Sequence, residues 1–91
     1  MLHIIKSISA LDDMLALYAA EDDVLLVEDA VYVVNPQHQA FNRVKGLSLF
    51  ALQSDLEARG IANRVSPSVS VVSYAGFVDL TAKQHNSLTW D

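Results

Sequence analysis

Four apolar residues, Val24-Leu25-Leu26-Val27, stop abruptly at two carboxylates, Glu28-Asp29. A short continuous apolar run bounded by polar residues predicts a strand buried on both faces, and the flanking patterns supply helices to cover it. Leu2 to Lys6 is mostly apolar with two β-branched residues and predicts a first strand. From Leu11 the positions Leu11, Met14, Leu15, Leu17 and Tyr18 recur at helical spacing, with Asp12 and Asp13 in the first turn, where carboxylates favour the helix dipole. This predicts a helix to about Ala20. Glu21-Asp22-Asp23 then turns the chain into the central strand. Strand, helix and strand joined by short turns form the crossover unit that gives parallel pairing.

Beyond Glu28, Asp29 is placed to cap a short helix running through Val34, which Asn35-Pro36 ends. His38 to Val44 reads as helical or irregular, and Leu47 to Leu52 as a third strand. Asp55 to Arg59 predicts a short helix closed by Gly60 in the left-handed conformation. Ile61 to Pro67 is a loop, and Ser68 to Ser73 a fourth strand. From Tyr74 the set Phe77, Val78, Leu80 and Thr81 follows helical spacing to about Gln84. Trp90, in the tail Asn86 to Asp91, is expected to pack, because an aromatic ring buries so much area. The expected fold is α/β: a single domain over residues 1–91 with a small open, mostly parallel sheet of four or five strands and helices on both faces.

Apolar residues make up 52% of the chain and the mean hydropathy is +0.25, which is rich for a 91-residue domain with a limited interior. The surplus points to a subunit interface. A net charge of -5 opposes direct nucleic-acid binding, which needs cations along the phosphates. It also opposes reading Tyr74, Phe77 and Trp90 as a base-stacking platform. Seven acids (Asp12, Asp13, Glu21, Asp22, Asp23, Glu28, Asp29) face only Lys6 within residues 1–29, and they are read as a solvated face and an acidic turn. Cysteine is absent, which excludes disulfides, thiolate ligands and a thiol nucleophile on this chain. Leu2 to Ile8 is interrupted by His3 and Lys6 and lacks a cleavage site, and no apolar run approaches the ~20 residues of a membrane helix. A cytoplasmic protein without membrane contact is expected.

Ligands collect at the carboxyl ends of strands in open α/β sheets, which places Ser7, Glu28, Asp29, Gln53, Asp55 and Tyr74 on one rim. Paired acids at a strand end can hold magnesium, as in receiver domains. That site also needs a phospho-acceptor Asp and a Lys on later strands, and Leu47–Leu52 and Val69–Ser73 supply neither. Glu28-Asp29 is therefore read as an exposed Glu beside a helix-capping Asp. His3, His38 and His85 fall in different elements without metal-ligand spacing, no Gly-x-Ser-x-Gly elbow surrounds a serine, and three glycines form no phosphate-binding loop. No catalytic residue, metal or cofactor is expected.

Several segments carry a family resemblance in their order and spacing. They are Met1-Leu2-His3, Leu25-Leu26 leading to Asp29-Ala30-Val31, and Phe50-Ala51-Leu52 followed by Asp55-Leu56-Glu57-Ala58-Arg59-Gly60. A fourth runs from Tyr74 through Phe77-Val78, Leu80-Thr81, Lys83 and His85 to Trp90. Together these resemble the TusB/DsrH-like family of the DsrE/F/H superfamily. The resemblance implies a noncatalytic subunit of a cytoplasmic sulfur relay serving 2-thiolation of the tRNA wobble uridine. It further implies assembly with TusC- and TusD-like chains as a dimer of heterotrimers, the sulfur-accepting cysteine lying on the TusD-like chain. A chain without cysteine fits a noncatalytic place in such a relay, since a thiolate is what takes up sulfane sulfur. Candidate partner contacts are Phe77, Val78 and Trp90, because hot spots favour buried aromatics. The alternative is a homo-oligomeric small-molecule-binding domain using the rim of Glu28, Asp29, Asp55 and Tyr74.

Overall fold

The computed structural model describes residues 1–91 and contains one five-stranded, all-parallel sheet. Its strands are β1 (Leu2–Ile5), β2 (Asp23–Leu26), β3 (Ser48–Leu52), β4 (Ser70–Val72) and β5 (Ser87–Trp90), in the order β4-β3-β2-β1-β5. The helices are α1 (Leu11–Leu17), α2 (Phe41–Val44), α3 (Gln53–Ala58) and α4 (Tyr74–Lys83), and 3-10 segments span Ile8–Ala10 and Glu28–Val34. The tail beyond Asn86 therefore supplies a fifth strand, paired with β1 from Leu2↔Ser87 to Ile5↔Trp90.

The strand order explains where the helices lie. From β1 to β4 the chain steps in one direction across the sheet, and it then returns past three strands to place β5 on the far side of β1. Crossovers of parallel strands keep one hand, so reversing the direction moves the connection to the other face. The first three connections pack on one side, where Ile5, Val24, Leu26, Leu49 and Ala51 meet Leu11 and Met14 of α1, Val31 and Val34 of the 3-10 segment, Val44 of α2 and Leu56 of α3. Only α4 crosses the opposite side, where Phe77 and Leu80 lie against Leu2, Leu25, Val27 and Leu52. One ten-residue helix thus covers a face spanned by five strands.

Local chemistry sets the boundaries. α1 stops at Leu17, three residues earlier than its spacing predicts, and Tyr18 is already extended with its hydroxyl donating to the Asp22 carbonyl at 3.0 Å. Asp29 caps no helix: the N-cap residue is Val27, whose side chain makes no capping bond, and Asp29 is drawn instead to Arg59 at 3.0 Å. The segment it was expected to cap is a 3-10 helix rather than an α-helix, consistent with the crowding of Val31, Val33 and Val34. α3 begins at Gln53, two residues before the predicted start, and ends at Ala58, with Gly60 closing it as the sequence predicts. The Gly60 amide donates to the Glu57 carbonyl at 3.1 Å, the Ile61 amide to Leu56 at 3.0 Å, and Gly60 has φ +69°. This is the Schellman closure, and Ile61 packs back onto the same core as Leu56. At the start of α4 the Ser73 hydroxyl accepts from the Gly76 amide at 3.2 Å. Gly76 itself lies against Val72, where an added Cβ would sit 3.0 Å from the Val72 Cβ, so the small residue lets α4 approach β4.

Candidate functional site

At the carboxyl end of β2 the chain turns sharply at Glu28, whose φ of +50° is uncommon for a residue with a Cβ. The turn aims the Glu28 amide at the Asp55 carboxylate, which accepts at 2.6 Å from the first turn of α3. Arg59, one turn further along, reaches back with Nε to Asp29 at 3.0 Å and with Nη1 to Asp55 at 3.6 Å. Lys6, just past β1, stands 3.5 Å from the Glu28 carboxylate. The structure therefore brings Glu28, Asp29 and Asp55 together at one edge, as strand ends dictate, and sets two cations among three acids. The Asp29 carboxylate is the main cause holding the Arg59 guanidinium above its ordinary pKa, with burial acting in the opposite direction and Asp55 adding to the rise.

The other rim positions stay apart from this cluster. Gln53 donates to Glu57 at 3.3 Å, and the Ser7 hydroxyl is paired with Ser9 at 3.1 Å. Tyr74 follows β4 and meets Phe77 edge-on with ring centroids 6.0 Å apart, joining the α4 side of the molecule. It makes no hydrogen bond to the acids. The rim is open surface without an enclosed cavity, and nowhere do three or more His, Asp or Glu side chains gather as a metal-ligand group.

The residues considered for partner contact divide between the two faces of the sheet. Phe77 is half-buried against Leu2, Leu25 and Leu52, and Val78, next to it, is 47% exposed. Tyr74 is 72% exposed on the same helix. Ile4, Phe50 and Val72 on the strands beneath are only partly covered. Trp90 belongs to the opposite face, where it packs against the larger core. These three aromatic and aliphatic side chains therefore do not form one patch.

Trp90 instead belongs to a polar network that patterning did not reveal. Its indole Nε1–H donates to His3 Nδ1 at 3.1 Å, and His3 Nε2 lies 2.9 Å from Asp22 Oδ2. An indole nitrogen only donates, so Nδ1 accepts and the imidazole proton sits on Nε2, directed at the carboxylate. Asp22 also accepts from the Ala19 amide at 2.9 Å and from the Met1 ammonium at 3.1 Å. His3 is fully buried and Asp22 nearly so, and each buried side-chain polar atom has a partner. The His3 bond, then the Ala19 amide, lower the Asp22 pKa from 3.8 to about 2 against the opposing effect of burial. Asp22 is thus no part of a solvated acidic turn. The sequence carried one signal of this: a histidine inside the otherwise apolar first strand needs a partner once buried.

Comparison with known proteins adds to this geometry. A family model described as DsrH like protein matches residues 6–87. Protein TusB of Serratia proteamaculans is 39% identical over 79 residues, covering 85% of this chain and 83% of the relative. Protein TusB of Buchnera aphidicola subsp. Baizongia pistaciae is 37% identical over 71 residues, covering 76% and 75%. Protein TusB of Yersinia pestis is 34% identical over 82 residues, covering 88% and 86%. With the match reaching from the end of β1 into β5, the chain belongs to the DsrH-like family.

Proposed function

We propose that this chain is a noncatalytic subunit of a sulfur-relay complex, assembling with TusC- and TusD-like chains and serving 2-thiolation of the tRNA wobble uridine. The observation that carries the reading is similarity over most of its length to proteins named TusB in a chain that holds no cysteine. Sulfane sulfur is taken up and handed on by a thiolate, so the accepting group of such a relay lies on another subunit. The sheet face crossed by α4 alone supports a subunit role, since Tyr74, Val78, Phe50 and Ile4 leave apolar surface there that a partner would cover. Its place in the cytoplasm follows from the same reading, and no helix is long and apolar enough to cross a membrane.

The test is capture of the tagged chain from its own cells, followed by transfer of labelled sulfane sulfur to the retained proteins. The expected result is recovery of two small α/β chains, one of which takes the label on a cysteine. A captured complex in which no partner accepts sulfur, or recovery of this chain alone as a stable homo-oligomer, would overturn it. The second outcome would turn attention to ligand binding at the rim, where a ligand would have to compete with Arg59 and Lys6 for the acids.

A further inference from the structure

His3 is the one histidine that is fully buried, and nothing in the relay reading uses it. Both of its ring nitrogens are engaged, in opposite senses. Nε2 donates to Asp22, while the Nδ1 lone pair holds the Trp90 indole N–H. Trp90 is the last residue of β5, an edge strand whose Ser87, Leu88 and Thr89 are all exposed. Beyond the strand ladder, the Trp90 carbonyl accepts from the Lys6 amide at 2.9 Å and the Asn86 carbonyl from the Leu2 amide at 3.0 Å. Among the side-chain contacts of β5, the indole bond to His3 is the single hydrogen bond into the body of the protein.

We infer that β5 is a proton-sensitive strap: uptake of one proton at His3 Nδ1 breaks the Trp90 bond and releases the end of β5 from β1. The chemistry is a simple exchange. A proton from water occupies the Nδ1 lone pair, and the new N–H then faces an indole N–H that has no lone pair to offer. Two donors cannot share that space, so the indole moves out. The groups facing the imidazole come from different elements. Asp22, from the turn after α1, stays ionised opposite Nε2, and the Met1 ammonium donates to its other oxygen. Tyr18, from the end of α1, packs its ring with a centroid 6.1 Å from His3, and Trp90 itself lies at 6.1 Å on β5. With the carboxylate already in place at Nε2, protonation costs the Trp90 bond and leaves the Asp22 bond intact. The strain of charging His3 therefore falls on the edge strand rather than on β1 and β2.

The experiment is a pH titration of the whole chain from about pH 8 to pH 5, the range in which histidine changes charge. It follows the imidazole nitrogens and the indole N–H by NMR, with Trp90 emission in parallel. At the upper end the spectra should show a neutral His3 with its proton on Nε2. As His3 titrates, exchange of the indole N–H and of the Lys6 amide should accelerate on the order of tenfold, the equivalent of one lost hydrogen bond. Amides of β2 and β3 should keep their protection. His3→Gln should abolish the transition, whereas His38→Gln and His85→Gln should leave it. Three outcomes would overturn the inference: an Nδ1–H tautomer at high pH, a Trp90 signal that stays constant while His3 titrates, or simultaneous loss of protection throughout the sheet. If His3→Gln does not fold, the wild-type imidazole spectra still decide.

Discussion

Replacing Asp22 with alanine removes three acceptor contacts at once, and the structure fixes what each one costs. The His3 Nε2–H is fully buried, so it would be left without a partner at about 1–3 kcal/mol. The Ala19 amide is partly exposed and recovers a bond to water, which limits its loss to about 1 kcal/mol. The Met1 ammonium is exposed enough for its ion pair to contribute about 0–1 kcal/mol. The sum is about 3 kcal/mol. A domain of this size has only about 5–14 kcal/mol in total, so the variant should melt roughly 12–24 °C lower. Urea unfolding followed by Trp90 emission and by far-UV circular dichroism measures it directly, because Trp90 is the only tryptophan. A loss below about 1 kcal/mol would refute the claim that His3 depends on this carboxylate.

The same residue makes a pH prediction of defined sign. The folded-state pKa of Asp22 is depressed from 3.8 to about 2, so its contribution is fully present above 3.8 and disappears as pH falls through about 2. That difference corresponds to roughly 2 kcal/mol. Acid costs less than Asp22→Ala because a protonated carboxyl still accepts from His3. Asp22→Asn should therefore flatten the acid limb of the stability profile, and an unchanged slope between pH 4 and pH 2 would contradict the assignment.

Other predictions concern the frame and the open face. Leu56→Ala, at a fully buried position of α3, should cost about 2–5 kcal/mol by denaturant unfolding. Gly60→Ala should cost about 1 kcal/mol, since φ of +69° burdens any side chain; nothing lies within 4 Å of the added Cβ, so the loss would report backbone conformation alone. Ser73→Ala should cost about 1 kcal/mol and speed amide exchange in the first turn of α4 before it affects the sheet. Val78→Asp should leave the melting temperature nearly unchanged and weaken capture of partners; unaltered capture at low concentration would remove α4 from the proposed interface.

Patterning made four of the strands and three of the helices legible from their apolar positions. Val24 to Val27 had to lie inside, and Gly60 had to end α3, for reasons contained within a few residues. The fifth strand was not legible, since Ser-Leu-Thr-Trp carries little apolar alternation and is held by pairing with β1, more than eighty residues away. The rim acids could be placed at strand ends, but their neutralisation by Arg59 and Lys6 depends on where α3 and β1 lie in space. Asp29 illustrates the difference: local preference assigns it a cap, and a guanidinium thirty residues on takes it instead. Asp22 was hidden by its neighbours, because one buried carboxylate within Glu21-Asp22-Asp23 looks like its two more exposed companions.

The pairing of β1 with β5 also sets a timetable. During synthesis β1 emerges first, and its outer edge has no neighbour until residue 90 leaves the ribosome. At about 5–20 residues per second, that interval is roughly 4–18 seconds. Throughout it the outer edge of Leu2–Ile5 stays unpaired, although β2 and then β3 become available during that time to close the other side. Of the five strands, the one made latest seals the edge of the one made earliest, so that edge of β1 stays open to chaperones and to wrong pairing until β5 is in place.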